Sequence, residues 1–173
     1  MKRKLIFSVG LVLGLGACTN HPESKTNREQ KTQSEALKNY YPFALDTTKE
    51  KISVRIVADG NKPTEMRRSP DKMELKSGTM LSLRLVNHSD AYKHNLVLVQ
   101  EGFEDTVATA GLQTLPAKNF VAKNSPGLIL NSPLILPHDS VTILFMTPPA
   151  GRYAIFCTVP GHSTLEQIPV VVK

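Results

Sequence analysis

Short runs in which apolar and polar residues alternate recur along the chain from about residue 52 to its end. A two-residue alternation buries one face of an extended strand and leaves the other face in solvent. We therefore predict a half-buried strand in each of four runs, at residues 52–56, 81–85, 141–145 and 152–157. In the first run the buried face is expected to consist of Ile52, Val54 and Ile56. The runs at residues 96–99 and 168–172 are more uniformly apolar, and they predict two further strands.

Turn-forming residues separate these runs. The clearest are Asp59-Gly60-Asn61, Lys76-Ser77-Gly78, Asn87-His88-Ser89-Asp90, Pro137-His138-Asp139 and Pro148-Pro149-Ala150-Gly151. Many short strands at regular spacing are typical of a β-sandwich or a β-barrel. Between residues 100 and 136 the alternation is lost, and only residues 104–112 favour a helix there. We expect that helix to pack on the outside of the strands.

The first 17 residues have the pattern of an export signal, which is removed from the mature protein. Lys2, Arg3 and Lys4 form a charged start, and residues 5–15 form an apolar run that is too short to span a bilayer. The ending Leu15-Gly16-Ala17-Cys18 resembles the lipobox of bacterial lipoproteins, in which the cysteine is lipidated. We predict a lipidated Cys18, the alternative being a plain secretory signal in which this cysteine is incidental.

Residues 18–39 are almost wholly polar, with too few apolar side chains to offset the entropy lost on ordering. They predict a flexible tether between the lipid and a domain over residues 40–173. The expected location is a bacterial membrane surface facing the periplasm. Thr19 directly after the lipidated residue resembles outer-membrane lipoproteins, which weakly favours the outer membrane.

The composition fits one aliphatic core and no nucleic-acid partner. Apolar residues make up 40% of the chain, aromatic residues 6%, and tryptophan is absent, as in a small domain filled by Val, Leu and Ile. The formal charge of +6 includes the three basic residues of the signal. Without them, 18 basic residues face 15 acidic ones, a mild excess spread along the chain rather than clustered as nucleic-acid binding requires.

Chemistry concentrates near the C-terminus, in the loop Cys157-Thr158-Val159-Pro160-Gly161-His162. With Cys18 lipidated, Cys157 has no disulfide partner, and a lone thiol in an oxidising compartment suggests a bound metal. Copper that changes oxidation state suits a soft thiolate together with imidazoles. A second imidazole stands at the head of another predicted strand, at His94.

These residues resemble the azurin and plastocyanin family of blue copper proteins, azurin above all. A His-Asn pair opens one strand in that family and a Cys-Thr-x-Pro-Gly-His loop closes the site, as His94-Asn95 and residues 157–162 do here. The resemblance implies an all-β, Greek-key β-sandwich of the cupredoxin type with one short external helix. It implies one copper ion bound by His94, Cys157 and His162, with His162 on an exposed loop where electrons leave.

The resemblance also assigns supporting roles and partners. The backbone amides of Asn95 and Val159 would donate to the cysteine sulfur, and the Asn95 side chain would hold the loop near Thr158. Such hydrogen bonds fix the geometry of the ligands. The function implied is one-electron transfer without substrate turnover. The partners would be redox proteins such as c-type cytochromes or a membrane oxidase or reductase, and no small-molecule substrate is expected.

The fourth ligand departs from azurin, which has a methionine four residues after the loop histidine. That position is Glu166 here, and Gln167 follows at the spacing that the stellacyanin branch uses for an axial glutamine. Glu166 is the first candidate and Gln167 the second. Either would supply oxygen, and a harder axial ligand favours Cu(II) and lowers the reduction potential.

Other interpretations remain open from the sequence. The chief alternative function is a copper scavenger or chaperone that hands the metal to another protein. Cys157 could instead be a buried structural thiol, the same residues could hold zinc, and an open coordination position would allow a small oxidase or reductase. The remaining histidines lie in turns or in the tether and are expected in solvent: His21, His88 and His138.

Overall fold

The protein is described by a computed structural model that covers residues 45–46, 48–114 and 118–173. The strands are β1 (Lys51–Asp59), β2 (Arg67–Ser69), β3 (Met73–Leu75), β4 (Met80–Asn87), β5 (Val97–Gln100), β6 (Leu128–Asn131), β7 (Ser140–Met146), β8 (Gly151–Phe156) and β9 (Ile168–Val172). One α-helix, α1 (Glu104–Leu112), lies between β5 and β6. In these ranges no helix has the length and apolar content needed to cross a membrane. The predicted signal, the lipidated Cys18 and the tether at residues 18–39 lie outside them.

The strands form two sheets. The first contains four strands in the order β2-β1-β4-β7, and the second contains five in the order β3-β9-β8-β5-β6. Most pairs are antiparallel, but β1 pairs with β4 and β3 with β9 in parallel. The chain therefore passes repeatedly from one sheet to the other. The predicted all-β sandwich with one external helix is confirmed, and the helix has the predicted bounds.

The main core lies between the two sheets and follows from the alternation in the strands. Leu81, Leu83 and Leu85 of β4 are fully buried, and they meet inward-facing residues of the second sheet such as Ile155 and Ile168. Each fully buried aliphatic side chain of this kind contributes about 1.5–3 kcal/mol relative to exposure. Ile52, which was expected in this core, is missing from it.

Ile52 was expected on the buried face of β1, and that expectation is wrong. Its side chain is 39% exposed, whereas Ile56 and Ala58, further along the same strand, are fully buried. The β1–β2 pairing begins only at Val57, so the first residues of β1 have a strand neighbour on one side alone. The buried part of β1 is therefore its second half.

A second apolar cluster lies on the outer face of the five-stranded sheet. Val97, Val99 and Phe156 point away from the main core and pack with Val107 of α1. Because α1 covers this face, β5 is buried on both sides. This explains why residues 96–99 are uniformly apolar rather than alternating.

Three short strands were not predicted: β2, β3 and β6. The first two have three residues each and the third has four, too few for an alternation to stand out. Their pairing partners hold them in place, since β2 adds to β1, β3 to β9 and β6 to β5. Strand β2 carries Arg68, which forms an ion pair with Glu166.

Candidate metal centre

Strand pairing brings His94 and Cys157 to one end of the sandwich. Strands β5 and β8 are antiparallel with Val97 opposite Phe156, so the residues before β5 and after β8 meet at the same edge. Leu96 and Ile155 face the main core. With a period of two residues, the side chains of His94 and Cys157 fall on that same inward face. Both residues are fully buried.

Glu166 reaches the same place from β9. Ile168 and Val170 of that strand face the core, and Ile168 lies opposite Ile155 in the antiparallel pair with β8. The two-residue period then places Glu166 inward, where it is fully buried. The neighbouring Gln167 points the other way: it is exposed and donates from Nε2 to the Ser163 carbonyl at 2.9 Å.

His162 closes the site from the loop between β8 and β9. Its backbone N–H donates to the Val159 carbonyl at 3.0 Å, and Gly161 just before it has a positive φ of 85°. Glycine adopts this conformation without steric cost, so the loop can turn sharply back toward Cys157. The imidazole of His162 lies 4.9 Å from that of His94 between ring centroids.

The four side chains converge on one point. One ligand atom from each of His94, Cys157, His162 and Glu166 lies within 4.8 Å of the other three. Nδ1 of His94 is 3.0 Å from Oε2 of Glu166, and Nδ1 of His162 is 3.6 Å from Sγ of Cys157. Nδ1 of His162 lies 3.7 Å from the same carboxylate oxygen. Two imidazoles, a thiol and a carboxylate thus surround one position.

Asn95 ties the segments of the site together. Its Nδ2 donates to Oγ1 of Thr158 at 2.7 Å and to the carbonyl of Asn119 at 2.6 Å, while its Oδ1 accepts from the Thr158 amide at 2.8 Å. Its own backbone N–H donates to Sγ of Cys157 at 3.5 Å. One side chain therefore holds the ends of β5 and β8 and the loop at Asn119 in fixed relation.

A buried arginine, which the sequence pattern does not predict, lies next to the carboxylate. Nη2 of Arg68 donates to Oε2 of Glu166 at 3.3 Å and to the backbone carbonyl of Asn95 at 2.7 Å. Its side chain is 1% exposed. Strand β2 reads Arg67-Arg68-Ser69, all polar, so the sequence does not mark its middle residue as buried. Three residues are too few to read a buried position from the sequence alone.

The surroundings keep the thiol of Cys157 neutral when no cation is present. Burial raises the pKa of this thiol to about 11, and Glu166 adds to the effect. The charge of Arg68 and the amides of Asn95 and Val159 act in the opposite direction, because each favours the thiolate. The two amides are thus placed to stabilise a thiolate as soon as a cation compensates its burial.

In Glu166 the nearby groups outweigh burial, whereas in His162 burial prevails, as it does in Cys157. Burial alone would raise the pKa of Glu166, but its hydrogen bond with His94 and the charge of Arg68 hold that pKa below its usual value. Burial lowers the pKa of His162, outweighing the favourable effect of Glu166. The centre therefore presents an anionic oxygen and a neutral imidazole, both suitable as metal ligands.

The structure separates the candidate residues into two groups. His88 and His138 are exposed and lie in loops away from the cluster. His88 lies beside Arg55, and His138 lies beside Asp90. His21 lies outside the described residues. His162 lies on a loop that is exposed at Pro160, Gly161 and Thr164, but the ring itself is covered. Its side chain is only 4% exposed, because the turn folds the ring inward and Tyr92 meets it edge to face at 5.6 Å.

The donor set suits a cation. Oε1 of Glu166 is buried and has no hydrogen-bond partner among the described residues, so one lone-pair-bearing atom of a buried carboxylate is left uncompensated. Such an atom costs free energy unless it is paired. A metal ion bound by this carboxylate among the four side chains would offset that cost. A thiolate and two imidazoles in one site favour copper or zinc over magnesium or calcium.

Comparison with known proteins identifies a relative with this fold. Auracyanin-A of Chloroflexus aurantiacus is 34% identical over 116 residues, which cover 66% of this chain and 72% of the relative. Its solved structure, described as that of a "blue" copper protein, has a TM-score of 0.65 at 30% identity and covers 72% of this chain and 100% of the other. No protein-family model matches the chain.

Two further proteins resemble it less closely in sequence. Auracyanin-B of the same organism is 29% identical over 108 residues, and the match spans 57% of this chain but 46% of that protein. Its structure has a TM-score of 0.66 at 23% identity, covering 77% and 96% of the two chains. An azurin of Methylomonas sp. strain J has a TM-score of 0.62 at 17% identity, covering 70% and 97%. These last two structures support the fold alone.

We predict that Asn95 is a main structural support of the site. Asn95→Ala removes three side-chain hydrogen bonds and leaves buried partners unpaired, so we expect the metal-free protein to lose about 2–4 kcal/mol of unfolding free energy. Thr158→Val removes only the bond to Oγ1 and should cost about 1 kcal/mol. Urea unfolding of both variants measures the difference. Equal losses would contradict this role of Asn95.

Proposed function

The chain belongs to the cupredoxin family of blue copper proteins, and we propose that it carries single electrons at one copper ion held by His94, Cys157 and His162, with Glu166 as the fourth ligand. The observation that carries this proposal is the convergence of the four ligand atoms within 4.8 Å of one another in a buried site. When bound, copper supplies the chemistry by alternating between Cu(II) and Cu(I).

The protein contributes a site that is held rigid. The imidazoles come from two segments, one before β5 and one in the loop before β9, and the hydrogen bonds of Asn95 fix these segments to each other. Ligands held by such surrounding bonds do not rearrange freely. A change of one charge on the metal then requires little movement, which favours rapid electron transfer.

Hydrogen bonds to the sulfur and the charge of Glu166 both bear on the reduction potential. The amides of Asn95 and Val159 donate toward the sulfur of Cys157 and stabilise it as a thiolate. Glu166 brings an anionic oxygen, which favours the more highly charged Cu(II) and lowers the reduction potential. Compared with a methionine at this position, we expect a lower potential.

Electrons leave through His162 in this proposal. It is the one side chain of the four with accessible surface, 4% against 0% for His94 and Glu166. Cys157 is likewise covered. A redox protein that docks over the loop of residues 158–167 would therefore come nearest to the metal at this ring. A c-type cytochrome or a membrane oxidase or reductase would fit this role.

The N-terminal segment supports a membrane-anchored carrier. Leu15-Gly16-Ala17-Cys18 resembles a lipobox, and residues 18–39 are polar and rich in charge. We propose that the chain is exported and lipidated at Cys18, and that the tether lets the domain reach partners near a periplasmic membrane surface. Globomycin treatment or mass spectrometry of the purified N-terminus tests the lipid directly.

Burial of the ligands favours a carrier over a copper chaperone. A chaperone must let a receiving protein attack the metal, which requires at least one exposed ligand. Here His94, Cys157 and Glu166 are fully buried and His162 nearly so. Zinc in the same residues would form a closed structural site without redox chemistry.

We predict an intense visible band on adding Cu(II) to the metal-free protein, because the Cys157 thiolate donates charge to the ion. Cys157→Ser should lose the band, since a hydroxyl is no substitute for the thiolate. His138→Ala is the matched control, because His138 is an exposed histidine outside the cluster. Absorption and EPR spectra report both results. A band that survives in Cys157→Ser would contradict the proposal.

We predict that the reduced protein keeps its copper. Because three of the four ligands are inaccessible and the fourth nearly so, a Cu(I) chelator in tenfold excess should remove little metal over many cycles of reduction and reoxidation. Metal analysis after gel filtration gives the retained fraction. Rapid, complete loss of Cu(I) to the chelator would favour the chaperone.

We predict that Glu166, not Gln167, is the fourth ligand. Glu166→Ala should change the EPR and visible spectra and raise the reduction potential, because it removes the anionic oxygen. Gln167→Ala is the neighbouring control and should leave both unchanged, since its side chain is exposed. The reverse pattern would assign the ligand to Gln167.

A further inference from the structure

We propose that Arg68 is the counter-charge of the copper centre: acting through Glu166, it cancels the charge of the carboxylate and raises the reduction potential above the value that this ligand alone would impose. The inference rests on the copper centre proposed above. It concerns a residue outside the ligand loop, on a strand of the opposite sheet.

Arg68 links the two segments that carry His94 and Glu166. One nitrogen, Nη2, donates to both Oε2 of Glu166 and the carbonyl of Asn95, the residue after His94. The same Oε2 lies 3.0 Å from Nδ1 of His94. The guanidinium thus lies directly behind the oxygen that faces the ligand cluster.

The burial of Arg68 requires an explanation beyond folding. Its side chain is 1% exposed, and among the described residues Nε and Nη1 have no hydrogen-bond partner. Burying a guanidinium with donors unpaired is costly unless a nearby negative charge compensates it. Glu166 supplies that charge, so each of the two residues makes the burial of the other tolerable.

The charge balance gives the direction of the effect. With the thiolate of Cys157 and the carboxylate of Glu166 alone, the Cu(II) site is neutral and the Cu(I) site carries one negative charge. With Arg68 included, the Cu(I) site becomes neutral and the Cu(II) site carries one positive charge. A buried site disfavours net charge, so Arg68 shifts the balance toward Cu(I).

Strand β2 offers an internal control. Arg67 precedes Arg68, has the same side chain and also pairs with a carboxylate, that of Asp59 at 2.9 Å. It lies on the opposite face, with its side chain 71% exposed. Solvent screens a charge at such a position. Arg67→Met thus removes the same charge from the same strand without touching the site.

The test is the reduction potential of the copper-loaded full-length chain. We expect Arg68→Met to weaken binding of Cu(I) relative to Cu(II) at least tenfold, a fall of about 59 mV for one electron. Arg68→Lys keeps the charge, so its reduction potential should fall by no more than half as much as that of Arg68→Met. Arg67→Met should change the ratio of the Cu(I) affinity to the Cu(II) affinity less than twofold. An unchanged or raised potential in Arg68→Met would overturn the inference.

A double variant keeps the test valid where Arg68→Met folds poorly because it leaves Glu166 buried and unpaired. Glu166→Gln alone should shift the ratio of the Cu(I) affinity to the Cu(II) affinity at least tenfold in favour of Cu(I). Arg68→Met combined with Glu166→Gln removes both charges and should return to within about threefold of the wild type. A double variant with the potential of Glu166→Gln would overturn the inference, because Arg68 would then have only a structural role.

The outcomes for the two proposals can be told apart. Wild-type protein that lacks the thiolate-to-copper band would overturn the copper centre, and with it the role of Arg68. Wild type and Arg67→Met that both show the band, beside an Arg68→Met variant with the wild-type potential, would leave the copper centre standing and overturn only the counter-charge.

Discussion

The antiparallel pairing of β5, β8 and β9 is the constraint on which the site depends. With Val97 opposite Phe156 and Ile155 opposite Ile168, the segments that carry His94, Cys157 and Glu166 end at one edge of the sheet. The two-residue period then sends all three side chains inward. A slip of one residue in either pair would turn a ligand toward solvent or toward α1, because the side-chain period of a strand is two. The large core between the sheets holds the register and thereby the site.

Four ionisable groups and an arginine share a space that excludes solvent, so their charges must balance. Burial opposes the thiolate of Cys157 and the imidazolium of His162, whereas Arg68 and His94 retain the charge of Glu166. The metal-free site therefore holds the ion pair of Arg68 and Glu166 beside a neutral thiol at Cys157 and a neutral imidazole at His162. A bound cation changes this balance, since it makes the thiolate favourable at a position where two amides already point toward the sulfur. The site is organised for a cation before one arrives.

The sequence was enough to predict six strands, the bounds of α1 and the loop of residues 157–162, because each depends on local pattern. It could not predict β2 or β3, whose three residues gain stability only from the strands beside them. For the same reason Arg68 was missed, as its neighbours in space are 27 and 98 residues away in the chain. Glu166 was ranked before Gln167, and the alternation of Ile168, Val170 and Val172 shows which of the two points inward once β9 is known to face the core.

The pair of Arg68 and Glu166 is better explained by the electrostatics of the centre than by stability. Breaking a buried ion pair is costly, but replacing both members with apolar side chains of similar volume is often neutral or stabilising by about 1–4 kcal/mol. A pair kept for folding alone would also satisfy more of its hydrogen bonds, whereas Nε and Nη1 of Arg68 and Oε1 of Glu166 have no partner among the described residues. The unpaired oxygen belongs to the carboxylate of the ligand cluster. The charge of Arg68, bonded to the other oxygen of that carboxylate, is positioned to act on whatever the carboxylate binds.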